Sequence, residues 1–124
     1  MKKPAKCVSV EEAREQQKEW VNTRGKVIGS KFKDVRDFWY SLDELQEYLD
    51  YVREKSKEQG VENPGIRFFL GAYSPGRKDG NATMFLAPTR EKDPNKDSEE
   101  VEDPNNYEIE PYNTIGMGWP PSDY

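Results

Sequence analysis

Apolar side chains are sparse along this chain, and where they gather they follow two different periods. From Gly65 to Tyr73 the period is two. Ile66, Phe68, Leu70 and Ala72 share one face of an extended segment, and Arg67, Phe69, Gly71 and Tyr73 share the other. Aromatics on both faces mark a strand that is covered, at least in part, on both sides. Asn63-Pro64-Gly65 supplies the turn that launches it and Ser74-Pro75-Gly76 stops it. Ala82 to Ala87 repeats the signature and ends at Pro88. The intervening loop is too short for a parallel crossover and holds the turn signals Pro75-Gly76 and Asp79-Gly80-Asn81. The two strands should therefore pair antiparallel, as a hairpin with a long tip. The core is expected around this ribbon, with Phe68 and Phe85 buried close together.

Two stretches carry the helical period. Ser9-Val10-Glu11-Glu12 reads as a capping box, and the helix it opens should run to about Asn22, ended by Asn22-Thr23-Arg24-Gly25. Its apolar positions, Ala13, Trp20 and Val21, are too few to hold it alone, so it must dock through Trp20. Ser41-Leu42-Asp43-Glu44 is a second box, with Tyr40 and Leu45 placed as a hydrophobic staple. The helix behind it carries a stripe of Leu42, Leu45, Tyr48, Leu49 and Val52 and stops near Gly60.

Between the helices, Val35 to Tyr40 alternates like a strand. A strand, a helix and a second strand at this spacing fit a right-handed crossover. The expected fold is α+β: two helices packed on a small mixed sheet, in the order α-β-α-β-β, with an irregular C-terminal tail. In the alternative, Val35 to Tyr40 is only an approach to the helix, and the sheet is the hairpin plus a tail strand.

The expected divisions are a flexible lead over 1–8, an α+β core over 9–89, a solvated acidic loop over 90–106, and a tail over 107–124 that packs back on the core. Tyr107-Glu108-Ile109-Glu110 suits a short edge strand before Pro111. Trp119 is expected to bury its ring, with Pro120-Pro121 held extended.

Composition qualifies this picture. Charged residues make up 35% and apolar ones 33%, with a mean hydropathy of -1.11, close to where disorder begins to win. Three Trp, seven Tyr and five Phe offset this, because each aromatic buries a large area. A net charge of -5 with no basic stripe argues against nucleic acid as a partner. No apolar run is long enough to span a membrane, and no apolar segment follows the basic start as in a signal peptide. With one cysteine, Cys7, there is no internal disulfide, and the expected location is cytoplasmic.

The chemistry is narrow. There is no histidine, hence no imidazole base, no Ser-His or Cys-His pair and no zinc site of the Cys/His type. The glycines do not form a phosphate-cradling loop. No cofactor and no catalytic residue is assigned. Asp93-Pro94-Asn95-Lys96-Asp97 begins like a calcium loop, but Ser98 stands where the turn glycine belongs and Pro104 where the bidentate Glu belongs. A sharper lead is the face with Arg67, Phe69, Gly71 and Tyr73: a guanidinium beside aromatic rings with a gap left by glycine suits an anionic or planar group. The plainer alternative is an Arg67 that lies over the sheet and pairs with a carboxylate, while Gly71 admits a Trp. Arg67, Phe69, Tyr73, Tyr40 and Trp119 are the candidate partner-binding residues, Trp119 because extended Trp-Pro-Pro segments suit aromatic-lined grooves.

Several short motifs resemble a family of small bacterial proteins. They are Ser9-Val10-Glu11-Glu12-Ala13 at a helix start and Trp39-Tyr40-Ser41-Leu42-Asp43-Glu44-Leu45 running into a helix. Gly65-Ile66-Arg67 with Gly71-Ala72-Tyr73 marks a strand, and Ala87-Pro88-Thr89 and Pro120-Pro121 follow it. Members of that family carry a cysteine before the Pro pair and another at the end, where this chain has Trp119 and Tyr124. The resemblance spans most of the chain and brings no established activity with it. The expected function is a non-catalytic domain that binds another protein, with an immunity or inhibitor protein facing a basic partner as one concrete form. The alternatives are a small-molecule or anion sensor using Arg67, and a carboxylate enzyme, with a Mg²⁺-dependent one as a form of it.

Overall fold

The structure is a computed structural model, described over residues 1–90, 104–113 and 115–124. The acidic segment 91–103 and the Asp93–Asp97 calcium-loop candidate lie outside the described residues. The class is α+β. The chain divides into two compact units, Met1–Asp37 with Gly118–Tyr124, and Phe38–Met117.

In the first unit, α1 (Val10–Trp20) starts as its sequence predicts: the Ser9 hydroxyl accepts from the Glu12 N–H at 3.0 Å. It does not stop at Asn22. One π-helical turn, Val21–Gly25, leads without a break into α2 (Lys26–Gly29), and Gly25 has ordinary helical angles. The wider turn brings Trp20 and Gly25 together, and a Cβ on Gly25 would lie 3.2 Å from the Trp20 ring. A glycine that reads as a stop signal is thus a packing residue. Val35 is buried, and Asp123 near the C-terminus meets Arg36 at 3.4 Å and Gln17 at 3.3 Å.

The second unit holds β1 (Phe38–Trp39), α3 (Leu42–Glu58), β2 (Gly65–Ala72), β3 (Ala82–Thr89) and β4 (Gly116–Met117). The hairpin forms as the alternation predicts, antiparallel with Gly65 opposite Thr89 and Ala72 opposite Ala82. The mixed sheet does not form. Only Phe38 and Trp39 of the Val35–Tyr40 stretch are strand, and they pair antiparallel with Met117 and Gly116 rather than with the hairpin. Two residues make too short a ladder to seed a crossover, and the approach-to-helix alternative describes them better.

α3 is capped at both ends. Ser41 accepts from the Glu44 N–H at 3.0 Å, and Gly60, in the left-handed region at φ 76°, closes the other end. There the Val61 N–H reaches Ser56 O and the Gly60 N–H reaches Lys57 O, which satisfies two terminal carbonyls.

The core is built from Tyr48, Val52, Leu86 and Ile109, with Tyr40, Leu45, Ile66 and Tyr112 against it. This corrects the sequence expectation. Phe68 is 63% exposed and Leu70 85%, while Leu86, directly across from Phe68, is 1% exposed. The cause is the width of a helix. A cylinder of about 10 Å spans roughly two strands at about 4.8 Å spacing. Here the second covered strand is the tail: Tyr112 exchanges both backbone hydrogen bonds with Leu86 at 2.8 Å. α3 therefore lies over β3 and Tyr112, and beyond Ile66 it leaves β2 bare. Leu42, in the predicted stripe, also stays exposed.

The tail meets β3 at Asn105 and Tyr112, not along Tyr107–Glu110. The residues between bulge outward and drop Ile109 into the core. Pro88 sits within β3, its nitrogen on the side facing that bulge, so its missing donor costs the ladder nothing.

Candidate functional site

The odd-numbered residues of β2 build one continuous face. Phe69 stacks on Phe85 across the hairpin, with ring centroids 5.2 Å apart. The exposed Arg67 lies over the Phe69 ring at 5.7 Å and donates to Asn105 Oδ1 at 3.3 Å. No carboxylate lies within ion-pair reach of Arg67 among the described residues, so the pairing expected in the plainer reading is not found there. Gly71 admits no Trp: its neighbours are Thr83 and the Phe85 ring.

The hairpin tip completes the face. Lys78, Asp79 and Gly80 all take positive φ, 48°, 56° and 67°. Glycine does this freely, whereas lysine does so at a cost of about 1–2 kcal/mol. The turn folds two cations back over Tyr73, with the Arg77 guanidinium 4.7 Å and the Lys78 ammonium 5.4 Å from the ring centroid. The Phe69 and Tyr73 rings are thus each capped by cations.

Asn113 anchors the arrangement. Its Oδ1 accepts from Tyr73 Oη at 3.1 Å and Thr83 Oγ1 at 3.3 Å, and its backbone carbonyl accepts from Tyr40 Oη at 3.1 Å. The Tyr40 ring stacks on Tyr112 at 4.9 Å. Burial, then the neighbouring Tyr112, Tyr73 and Glu44, push the Tyr40 phenol up to about 12, so it remains a neutral donor across the physiological range.

The structure therefore brings Arg67 and Phe69 into contact and links Tyr73 with Tyr40 through Asn113. Trp119 belongs to the other unit and is 56% exposed, so the burial expected for its ring does not occur; its bond to Pro120 is cis. Arg77, Lys78 and Asn113 are not legible as site residues in the sequence. The two cations sit between turn signals that mark the tip, and nothing local marks Asn113, whose role depends on the tail pairing with β3. No cluster of three or more His, Cys, Asp or Glu suited to a metal occurs among the described residues. Nor is any helix among them long and apolar enough to cross a membrane. Compared with known protein families, curated proteins and solved structures, the chain matches none.

Proposed function

We propose that the chain is a non-catalytic, cytoplasmic protein-binding domain whose recognition surface is the face of Arg67, Phe69 and Tyr73 with the Arg77–Lys78 tip. One observation carries this reading: three cations lie over two aromatic rings, and no described carboxylate pairs with any of them. Desolvating a cation that has no carboxylate partner among the described residues is least costly when an incoming carboxylate or aromatic group replaces the lost water. The free Cys7 fits a reducing compartment.

The charge distribution supports an inhibitor-like form of the same reading. Of 24 acidic and 19 basic residues, seven and two fall in 91–103, which leaves seventeen of each elsewhere. The attraction for a basic partner is thus concentrated in one stretch of sequence, and the described face suits acidic or planar groups.

Native mass spectrometry of the protein drawn from its own cells at natural abundance tests the proposal. A complex with a second, different chain should be present for wild type and lost in an Arg67→Ala/Tyr73→Ala variant. Recovery without any such chain would overturn it. Calorimetry against nucleotides and acidic metabolites, with Arg67→Ala as control, tests the sensor alternative, in which the guanidinium holds a small anion.

A further inference from the structure

β2 has a free edge. The Tyr73 N–H bonds to Asn81 O, and Leu86 turns both its backbone groups to Tyr112. Odd-numbered residues of β2 therefore face β3, and Ile66, Phe68, Leu70 and Ala72 direct their N–H and C=O groups outward. No described segment bonds to them there. The side chains of Phe68 and Leu70 are the exposed pair noted above. Natural edge strands are blunted by Pro, by lysines, by bulges or by a covering element. Between Ile66 and Ala72 this edge has no Pro, Lys or bulge and no covering element among the described residues, its pairing with β3 is regular throughout, and its only charge is Arg67.

We propose that a second copy of the chain pairs its own β2 antiparallel to this edge, about a two-fold axis at Phe69. The register follows from the strand itself. Two-fold pairing between outward-facing residues matches even with even positions, so Phe68 lies opposite Leu70 of the second copy and Ile66 opposite its Ala72. An axis at Phe69 keeps every residue from Ile66 to Ala72 in the ladder, and a shift in either direction leaves some unpaired. It also sets Arg67 opposite Gly71 of the second copy, so no two like charges face each other across the axis. An axis at Arg67 would set two guanidiniums against each other. On one face the two copies join Phe68 and Leu70 into a single apolar cluster. On the other, Phe69 meets Phe69 and the stack with Phe85 continues across the axis.

Sedimentation velocity over the micromolar range, with amide hydrogen exchange at Phe68 and Leu70 on the full chain, tests this. Wild type should form dimers, and protection of those two amides should rise with protein concentration. Leu70→Lys should raise the dissociation constant at least about tenfold. Because Leu70 is exposed, an unchanged far-ultraviolet dichroism spectrum should show that this variant still folds. A wild type that is monomeric throughout with unprotected edge amides would overturn the proposal. So would a dimer that Leu70→Lys leaves intact, or an edge that becomes protected only when an extended peptide of another protein is added. The heteromeric complex of the proposed function differs from this dimer in mass and in its dependence on Arg67 and Tyr73, so either can fail without the other.

Discussion

The ring of Tyr112 lies against that of Tyr48 at 4.4 Å, and this contact fastens the tail segment to α3. Tyr40 stacks on the other side of Tyr112, so three tyrosines form one pile at the edge of the core. Beside a buried cluster as small as Tyr48, Val52, Leu86 and Ile109, their area and their hydroxyl bonds both count toward stability.

Tyr48 tests the pile directly. Its hydroxyl donates to Glu110 O at 2.7 Å and lies 3.4 Å from Leu86 O. Tyr48→Phe removes that donor and should cost about 1–2 kcal/mol. Tyr48→Ala, which also opens a cavity, should cost about 3–5 kcal/mol. Urea denaturation with an unchanged slope measures both, and equal midpoints for the two variants would contradict this account.

Phe68→Ala and Leu86→Ala should separate the two sides of the hairpin. Though the residues pair directly, at protein concentrations low enough to keep the chain monomeric Phe68→Ala is expected to change stability by no more than about 0.5 kcal/mol, whereas Leu86→Ala should cost about 2–5 kcal/mol. A Phe68→Ala variant melting well below wild type would return the core to β2.

Alkaline pH should unfold the second unit. Burial, followed by the charges nearby, raises the phenols of Tyr40 and Tyr48 to about 12, against about 10 in an unfolded chain. Between those values the folded chain holds more protons than the unfolded one, so stability falls as pH rises through that window and is unaffected below it. Phenolate absorbance should rise together with loss of dichroism. Ionisation of these two tyrosines near pH 10 with the fold intact would refute the assignment.

The C-terminal end of α3 offers a pair of opposite signs. Gly60→Ala forces a side chain into the left-handed region and should destabilise by about 1 kcal/mol. Ser56 is fully buried, with no hydrogen-bond partner for its hydroxyl among the described residues. Ser56→Ala should therefore stabilise by about 1 kcal/mol, since it removes a buried polar atom and improves helix propensity. Melting curves that shift the same way for both would count against this reading of the helix.

What the sequence made legible was local. The Ser9 and Ser41 caps, the Gly60 stop and the turn signals that close the hairpin each depend on residues within a few positions of one another, and each appears where the pattern places it. What it hid was non-local. Alternation puts Ile66, Phe68 and Leu70 on one face of β2 without showing that α3 lies over β3 and covers only Ile66 of the three. That choice is made by Tyr112, more than forty residues away, which takes the place beside β3. Asn113 entered the candidate site by the same route. Gly25 misled for a different reason: a glycine under a Trp ring and a glycine ending a helix look alike until the ring is placed.

Trp20, Trp39 and Trp119, the chain's only tryptophans, are all exposed, at 36%, 65% and 56%. The emission of Trp39 and Trp119, the more exposed pair, should resemble that of indole free in water and change little on denaturation, so it is a poor gauge of whether the protein is folded. The same exposure makes it a sensitive gauge of company. A blue shift in the intact molecule would announce that some surface has been covered, and replacing the three indoles one at a time would tell which.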